Sequence, residues 1–225
     1  MKPLTKHLSL LSEHRLHAYT VAATAAGFGA LCLPPAAEAK IVYTPANVKI
    51  VRNIGLVRFD LNHDGIADFG LSNSWIATSR VHTFLRVAQL RSANQIWGAY
   101  SIYSGSQVLC AAALPRGTRV GPKGKFQNDP VRGLPMAVDN SRGAYGPWLH
   151  VKQAYLGLKF VIKGKTHFGW ARVKLSFLRN HGITAILTGY AYETVPGKPI
   201  IAGATKGAEE QAGSLGALAA GAVGR

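Results

Sequence analysis

The sequence predicts an all-β protein, an antiparallel β-sandwich or jelly-roll-like fold with a long Gly/Pro-rich excursion. Two observations carry that prediction. Beyond residue 40 helical periodicity is weak, and short runs rich in Val, Ile, Phe, Tyr and Thr recur between Gly, Asn, Asp and Pro. Residues 154–194 then hold three such runs joined by tight turns, the pattern of an antiparallel meander. Many short strands without long helices favour packed sheets over an α/β layout.

The first 39 residues stand apart from this pattern. Lys2, Lys6 and Arg15 precede an uncharged, mostly apolar run from Val21 to Leu33, and Pro34 and Pro35 end it. Ala37-Glu38-Ala39 follows with small residues at both cleavage-site positions, so residues 1–39 read as a secretory signal peptide. As a helix the 13-residue run would cover only about 20 Å at ~1.5 Å per residue, short of a ~30 Å hydrocarbon core. The expected product is exported to the periplasm, cell surface or exterior, with no stable transmembrane anchor.

A single β domain is expected over residues 40–203. Its early strand candidates are Val57–Asp60, Ala67–Ser72, Val81–Leu90, Ile96–Tyr103 and Ser106–Leu114. Val81, Leu85 and Ala88 also sit at helical spacing, so that run has a helical alternative. Residues 115–150 are polar and rich in Gly and Pro and read as an excursion from the sheet. Tyr155–Ile162 puts Leu156, Leu158, Phe160 and Ile162 on one face. A turn centred on Gly164 would set Phe160 opposite Phe168 and Leu158 opposite Trp170 on the return strand, Thr166–Phe177. Arg179-Asn180-His181-Gly182 turns into the third strand, Ile183–Thr194, giving a meander with one face buried. Residues 204–225 form a low-complexity tail of Ala, Gly, Leu, Glu and Lys, expected to be disordered.

Composition excludes several classes. Hydrophobic residues make up 48%, too many for a disordered polyelectrolyte. Cleavage after Ala39 removes Cys32 and leaves Cys110, in the apolar run Val108–Ala113, so the product has no intramolecular disulfide and that thiol reads as a small core residue. No His-Glu-x-x-His, no Gly-x-Ser-x-Gly and no paired carboxylates mark a reaction centre. Gly164-Lys165-Thr166 imitates the end of a phosphate loop, but Lys159 stands where the first glycine belongs. We therefore expect a protein that is not an enzyme.

The most specific pattern is acidic. Three of the chain's ten acids fall within Asp60-Leu61-Asn62-His63-Asp64-Gly65-Ile66-Ala67-Asp68. Side-chain oxygens occupy positions 1, 3, 5 and 9, and glycine occupies position 6, the spacing of a calcium loop. Calcium takes six to eight oxygens, and alternate residues of a tight loop turn theirs inward. The expected ligands of Ca2+ are Asp60, Asn62, Asp64, Asp68 and the carbonyl of Ile66. Position 12 is Leu71 rather than a bidentate glutamate, and the flanks read as strands. A structural site is expected, without the helix opening of a sensor. The competing reading is a polar hairpin turn, Asn-His-Asp-Gly.

Lys and Arg total 26 against 10 acids, a net charge of +16. Arg116, Arg119, Lys123, Lys125 and Arg132 cluster in the excursion, and a second group decorates the meander. An anionic polysaccharide or cell-surface glycan would suit such a surface. A solvated surface that keeps the protein soluble is the plainer account. No nucleic-acid-binding motif accompanies the charge, so no specific nucleic acid is expected. Trp170, Tyr190 and Tyr192 could add a sugar-stacking face, or fill the core.

Four segments together resemble a group of uncharacterised exported bacterial proteins with PEP-CTERM-like sorting tails. They are Tyr155-Leu156-Gly157-Leu158-Lys159-Phe160, Thr166-His167-Phe168-Gly169-Trp170-Ala171-Arg172-Val173, Leu187-Thr188-Gly189-Tyr190-Ala191-Tyr192-Glu193-Thr194 and Pro196-Gly197-Lys198-Pro199-Ile200. Such proteins often carry an Asp/Asn calcium-type loop upstream. Ser214-Leu215-Gly216-Ala217-Leu218-Ala219 is similar to the start of their tail, here degenerate, without Pro-Glu-Pro and with only Arg225 for the basic cluster. The resemblance implies surface or extracellular export and brings no catalytic residues. The combined expectation is an exported, calcium-stabilised, monomeric surface or matrix protein. A glycan-binding module for acidic polysaccharide is the alternative, and a calcium-assisted polysaccharide lyase or hydrolase the third.

Overall fold

The computed structural model describes residues 40–77, 81–129, 131–140, 143–178 and 182–207. Residues 1–39, expected to be a signal peptide, and the tail from residue 208 lie outside them. The strands, in chain order, are β1 (Ile41–Ile50), β2 (Leu56–Phe59), β3 (Phe69–Ala77), β4 (Val81–Gln89), β5 (Gln95–Tyr103), β6 (Ser106–Ala111) and β7 (Arg119–Val120). They continue with β8 (Phe126–Gln127), β9 (Leu134–Asn140), β10 (Gly143–Tyr145), β11 (Gln153–Ile162), β12 (Lys165–Leu178), β13 (Gly182–Glu193) and β14 (Ile200–Ile201). Val81–Gln89 is a strand, so the helical alternative for that run is set aside. Among the described residues no helix is long and apolar enough to cross a membrane.

Two antiparallel sheets pack together. The larger runs β1-β13-β12-β11-β5-β6 with β8 beside β5, and the smaller runs β10-β9-β4-β3-β2. Their facing surfaces share one core. Leu156, Leu158 and Phe160 of β11, Val173 and Leu175 of β12 and Leu187 of β13 meet Phe69, Leu71, Leu85, Val87 and Met136 from the smaller sheet. Each such side chain contributes roughly 1.5–3 kcal/mol by leaving water.

The larger sheet is covered on its other face as well. Tyr155, Phe168, Trp170 and Ala191 pack there against Leu114, Val120, Ile200 and Ala202. The expected meander of β11, β12 and β13 is present, but not with only one face buried. Its register also departs from expectation by one residue. Ile162 pairs with Lys165 and Phe160 with His167, because the turn has two residues, not three. Lys163 (φ 48°) and Gly164 (φ 77°) both hold the left-handed conformation that a two-residue hairpin needs. A one-residue shift moves every side chain to the other face. Phe168 and Trp170 thus leave the face of Phe160 and Leu158 and build the second core.

The expected excursion at 115–150 is in large part folded into the sheets. β9 lies between β10 and β4 inside the smaller sheet, and its run is almost wholly buried. Trp148 is 0% exposed in the main core and donates Nε1–H to the Ala111 carbonyl at 3.1 Å. β1 is also not expected, and it closes one side of the larger sheet against β13. At the other boundary, Ala204 accepts a hydrogen bond from Trp170 Nε1 at 3.2 Å, so the described body continues past residue 203 to Gly207.

Candidate functional site

The acidic loop is the β2–β3 connection. Phe59 and Phe69 pair across its base, ring centroids 5.9 Å apart, and close it into a nine-residue turn. Leu61 is fully buried and roofs Gly169 on β12, where an added Cβ would lie 2.6 Å from Leu61 Cδ2. At the tip, His63 (φ 59°) and Gly65 (φ 83°) bend the chain back. His63 Nε2 reaches Thr44 Oγ1 on β1 at 2.7 Å, docking the tip onto the larger sheet.

The carboxylates organise the loop from within. Asp60 accepts from His63 N and Gly65 N, both at 2.8 Å. Asp64 accepts from Ile66 N at 2.9 Å and Asn62 Nδ2 at 3.1 Å, with Arg91 Nη1 3.9 Å away. Asp68, 1% exposed, accepts from Leu61 N at 2.9 Å and Asn94 Nδ2 at 3.2 Å. Asn94 is itself buried and sits in the β4–β5 turn, where Leu90 N bonds to the Asp68 carbonyl at 2.9 Å. Arg91 and Asn94 are therefore part of the site. The sequence marked neither, because they arrive from a turn some thirty residues away with no motif of its own.

Electrostatics in the loop are unbalanced. Burial pushes the Asp68 carboxyl up; hydrogen bonds from Leu61 and Asn94 oppose this, and the charges of Asp60 and Asp64 add to it. Asp64 is held below the ordinary carboxylate range by its bonds from Asn62 and Ile66. Burial raises Tyr190 and Tyr192, and the nearby Asp60 charge raises both further. Two amide oxygens are left over: among the described residues, the buried Asn62 Oδ1 and Asn94 Oδ1 have no hydrogen-bond partner.

The oxygens suit a hard cation in kind. Each carboxylate oxygen offers two acceptor directions, so the bonds above leave capacity for a ligand. They do not converge as they stand. Among the described residues no group of three or more His, Cys, Asp or Glu side chains is set to hold a metal ion. Coordination would require Asp60 and Asp64 to turn from the loop's own amides toward Asn62 Oδ1.

The remaining predicted residues separate. Arg116 and Arg119 line a cavity beside β14, whereas Lys123 and Lys125 belong to the turn leading into β8. Trp170 is fully buried in the second core, 5.3 Å from the Tyr155 ring and edge-on to it. Tyr190 and Tyr192 are half-buried against the main core on the opposite face of the sheet. Trp170 therefore shares no stacking platform with them. Of the meander bases, Arg172 is tied down by Thr188, donating to its Oγ1 at 2.8 Å and its carbonyl at 3.0 Å. Cys110 is buried, and that burial raises its thiol.

No protein-family model, no curated protein and no solved structure matches the chain.

Proposed function

We propose that the protein is an exported, non-catalytic surface or matrix protein in which a β-sandwich carries a structural Ca2+ loop. The ion would be held by Asp60, Asn62, Asp64, Asp68 and the Ile66 carbonyl. The observation that carries this reading is the orphaned Asn62 Oδ1 beside three mutually repelling carboxylates. A buried acceptor without a donor costs about 1–3 kcal/mol, and a cation in the loop would relieve both that cost and the repulsion. The Ala37-Glu38-Ala39 cleavage signature supports export.

Thermal unfolding of the full-length chain, in Ca2+ and then in excess chelator, tests the loop. A ligand that binds only the folded state stabilises it by about 2.7 kcal/mol at a hundredfold excess over its Kd. The melting temperature is expected to rise with Ca2+, less with Mg2+, and not at all in Asp64→Ala. An unchanged melting temperature at millimolar Ca2+ would reduce the loop to a hydrogen-bonded turn.

A further inference from the structure

We propose that a cavity on the face of the larger sheet away from the main core binds an acidic sugar unit, of the kind that carries both a carboxylate and free hydroxyls. The proposal is independent of metal in the β2–β3 loop. The cavity measures about 440 Å3, within the ~300–1,000 Å3 range of small-ligand sites. Its frame is the β7–β14 ribbon, in which Val120 pairs with Ile200 and Arg119 with Ile201. Two further backbone bonds brace it, Gly117 N to Ala202 O at 3.0 Å and Ala202 N to Thr118 O at 2.8 Å. The Trp170–Ala204 bond ties the last wall to the second core. At Gly203 (φ 89°) an added Cβ would lie 3.1 Å from Arg116 Cγ, so the turn packs against the stem of that arginine. The walls are thus preformed.

The lining carries charge of both signs. Arg116, Arg119, Lys198 and Lys206 stand exposed around the cavity, and among the described residues none of them is paired with a carboxylate. Glu193 lines the same cavity and is 3% exposed. It accepts from Val195 N at 3.0 Å through Oε1. Four uncompensated cations attract an anion, and the planar guanidinium forks match a carboxylate in particular. A buried carboxylate does the reverse: it repels a bare anion and accepts hydrogen bonds from hydroxyl groups. Phosphate satisfies only the cations, and a neutral sugar only Glu193. A uronate-type unit satisfies both, with its carboxylate among the bases and its hydroxyls toward Glu193. The apolar surfaces of Ile41 and Pro199 are available to its C–H faces.

Calorimetric titration of the full-length protein tests this with three probes: galacturonate oligomers, neutral galactose oligomers and inorganic phosphate. The acidic oligomer is expected to bind and the neutral one not to. Arg116→Gln/Arg119→Gln and, separately, Lys198→Gln/Lys206→Gln should each weaken binding by about tenfold or more. Lys163→Gln/Lys165→Gln removes the same charge at the β11–β12 turn and should stay within about twofold. Glu193→Gln should weaken the acidic oligomer while strengthening phosphate. Equal losses in all three basic pairs would show undirected charge attraction and overturn the site. So would equal binding of the neutral oligomer, or no heat with the acidic one. Retained selectivity against phosphate in Glu193→Gln would overturn the role given to that carboxylate.

Discussion

Replacing Trp148 with alanine is expected to remove about 3–5 kcal/mol of stability, among the largest effects of any single change to the chain. The indole is fully buried in the core shared by the two sheets, although it sits in a stretch between β10 and β11 whose sequence is mostly Gly, Pro and polar residues. Truncation opens a cavity between sheets that are fixed by their own ladders and cannot collapse onto it. It also strips the Ala111 carbonyl on β6 of its 3.1 Å donor. Trp148→Phe separates the two terms: most of the apolar area stays and the donor goes, for an expected loss of about 1–3 kcal/mol. Urea denaturation midpoints of the full-length variants measure both. A loss below about 1 kcal/mol in Trp148→Ala would mean that the segment after β10 is not part of the core.

The second large effect is at Asp68, where two substitutions should part company. In chelator, Asp68→Ala leaves Leu61 N without its acceptor in a buried setting and takes one of the two acceptors of Asn94 Nδ2, which keeps the residue 68 carbonyl at 3.2 Å, a loss of about 1–3 kcal/mol. Asp68→Asn keeps an acceptor for Leu61 N and adds an amide donor. That amide takes the place of the oxygen facing Asn94 Nδ2, donor against donor, and Asn94 can turn its Oδ1 to it only by giving up its bond to the residue 68 carbonyl. The asparagine variant should therefore fall between the wild type and the alanine variant in the absence of calcium. The pH dependence follows from the raised folded-state pKa of Asp68. The native state then binds more protons than the unfolded chain, so this group's contribution falls as pH rises through the carboxylate range. Asp68→Asn should flatten that fall. With Ca2+ the gap to the wild type should widen, because the wild type gains a ligand-bound state and the asparagine variant loses a ligand charge. Urea midpoints at about pH 4 and 7, with and without Ca2+, give all of these differences. An asparagine variant as unstable as the alanine one would show that the charge itself, not the hydrogen bonding, holds this end of the molecule.

The meander was legible because β11 to β13 are rich in aliphatic and aromatic residues and are set off by glycine turns, and the acidic loop because its spacing is local. What stayed hidden has specific causes. Of the strands not expected, the two longest each carry a proline, Pro45 in β1 and Pro135 in β9, which argues against a strand when read along the chain. In the fold each proline sits beside a register shift, where a missing N–H costs little. The hairpin register turned on whether Lys163 takes a left-handed conformation, which side-chain periodicity does not record. The cavity around Glu193 brings together residues near 116–119 and 193–206. Lys198 and Lys206 had no local pattern to single them out, and only the ribbon of β7 and β14 makes them neighbours of Arg116 and Arg119.

The proline in β1 also bears on how copies of the molecule meet. β1 is the outermost strand of the larger sheet, and a bare outer strand is a template onto which a second chain can add. Pro45 offers no amide there, the irregularity between Pro45 and Val48 breaks the even spacing of the donors, and Lys49 places a charge close by. The strand is thus blunted along its length. Growth of the sheet from molecule to molecule is discouraged at this border.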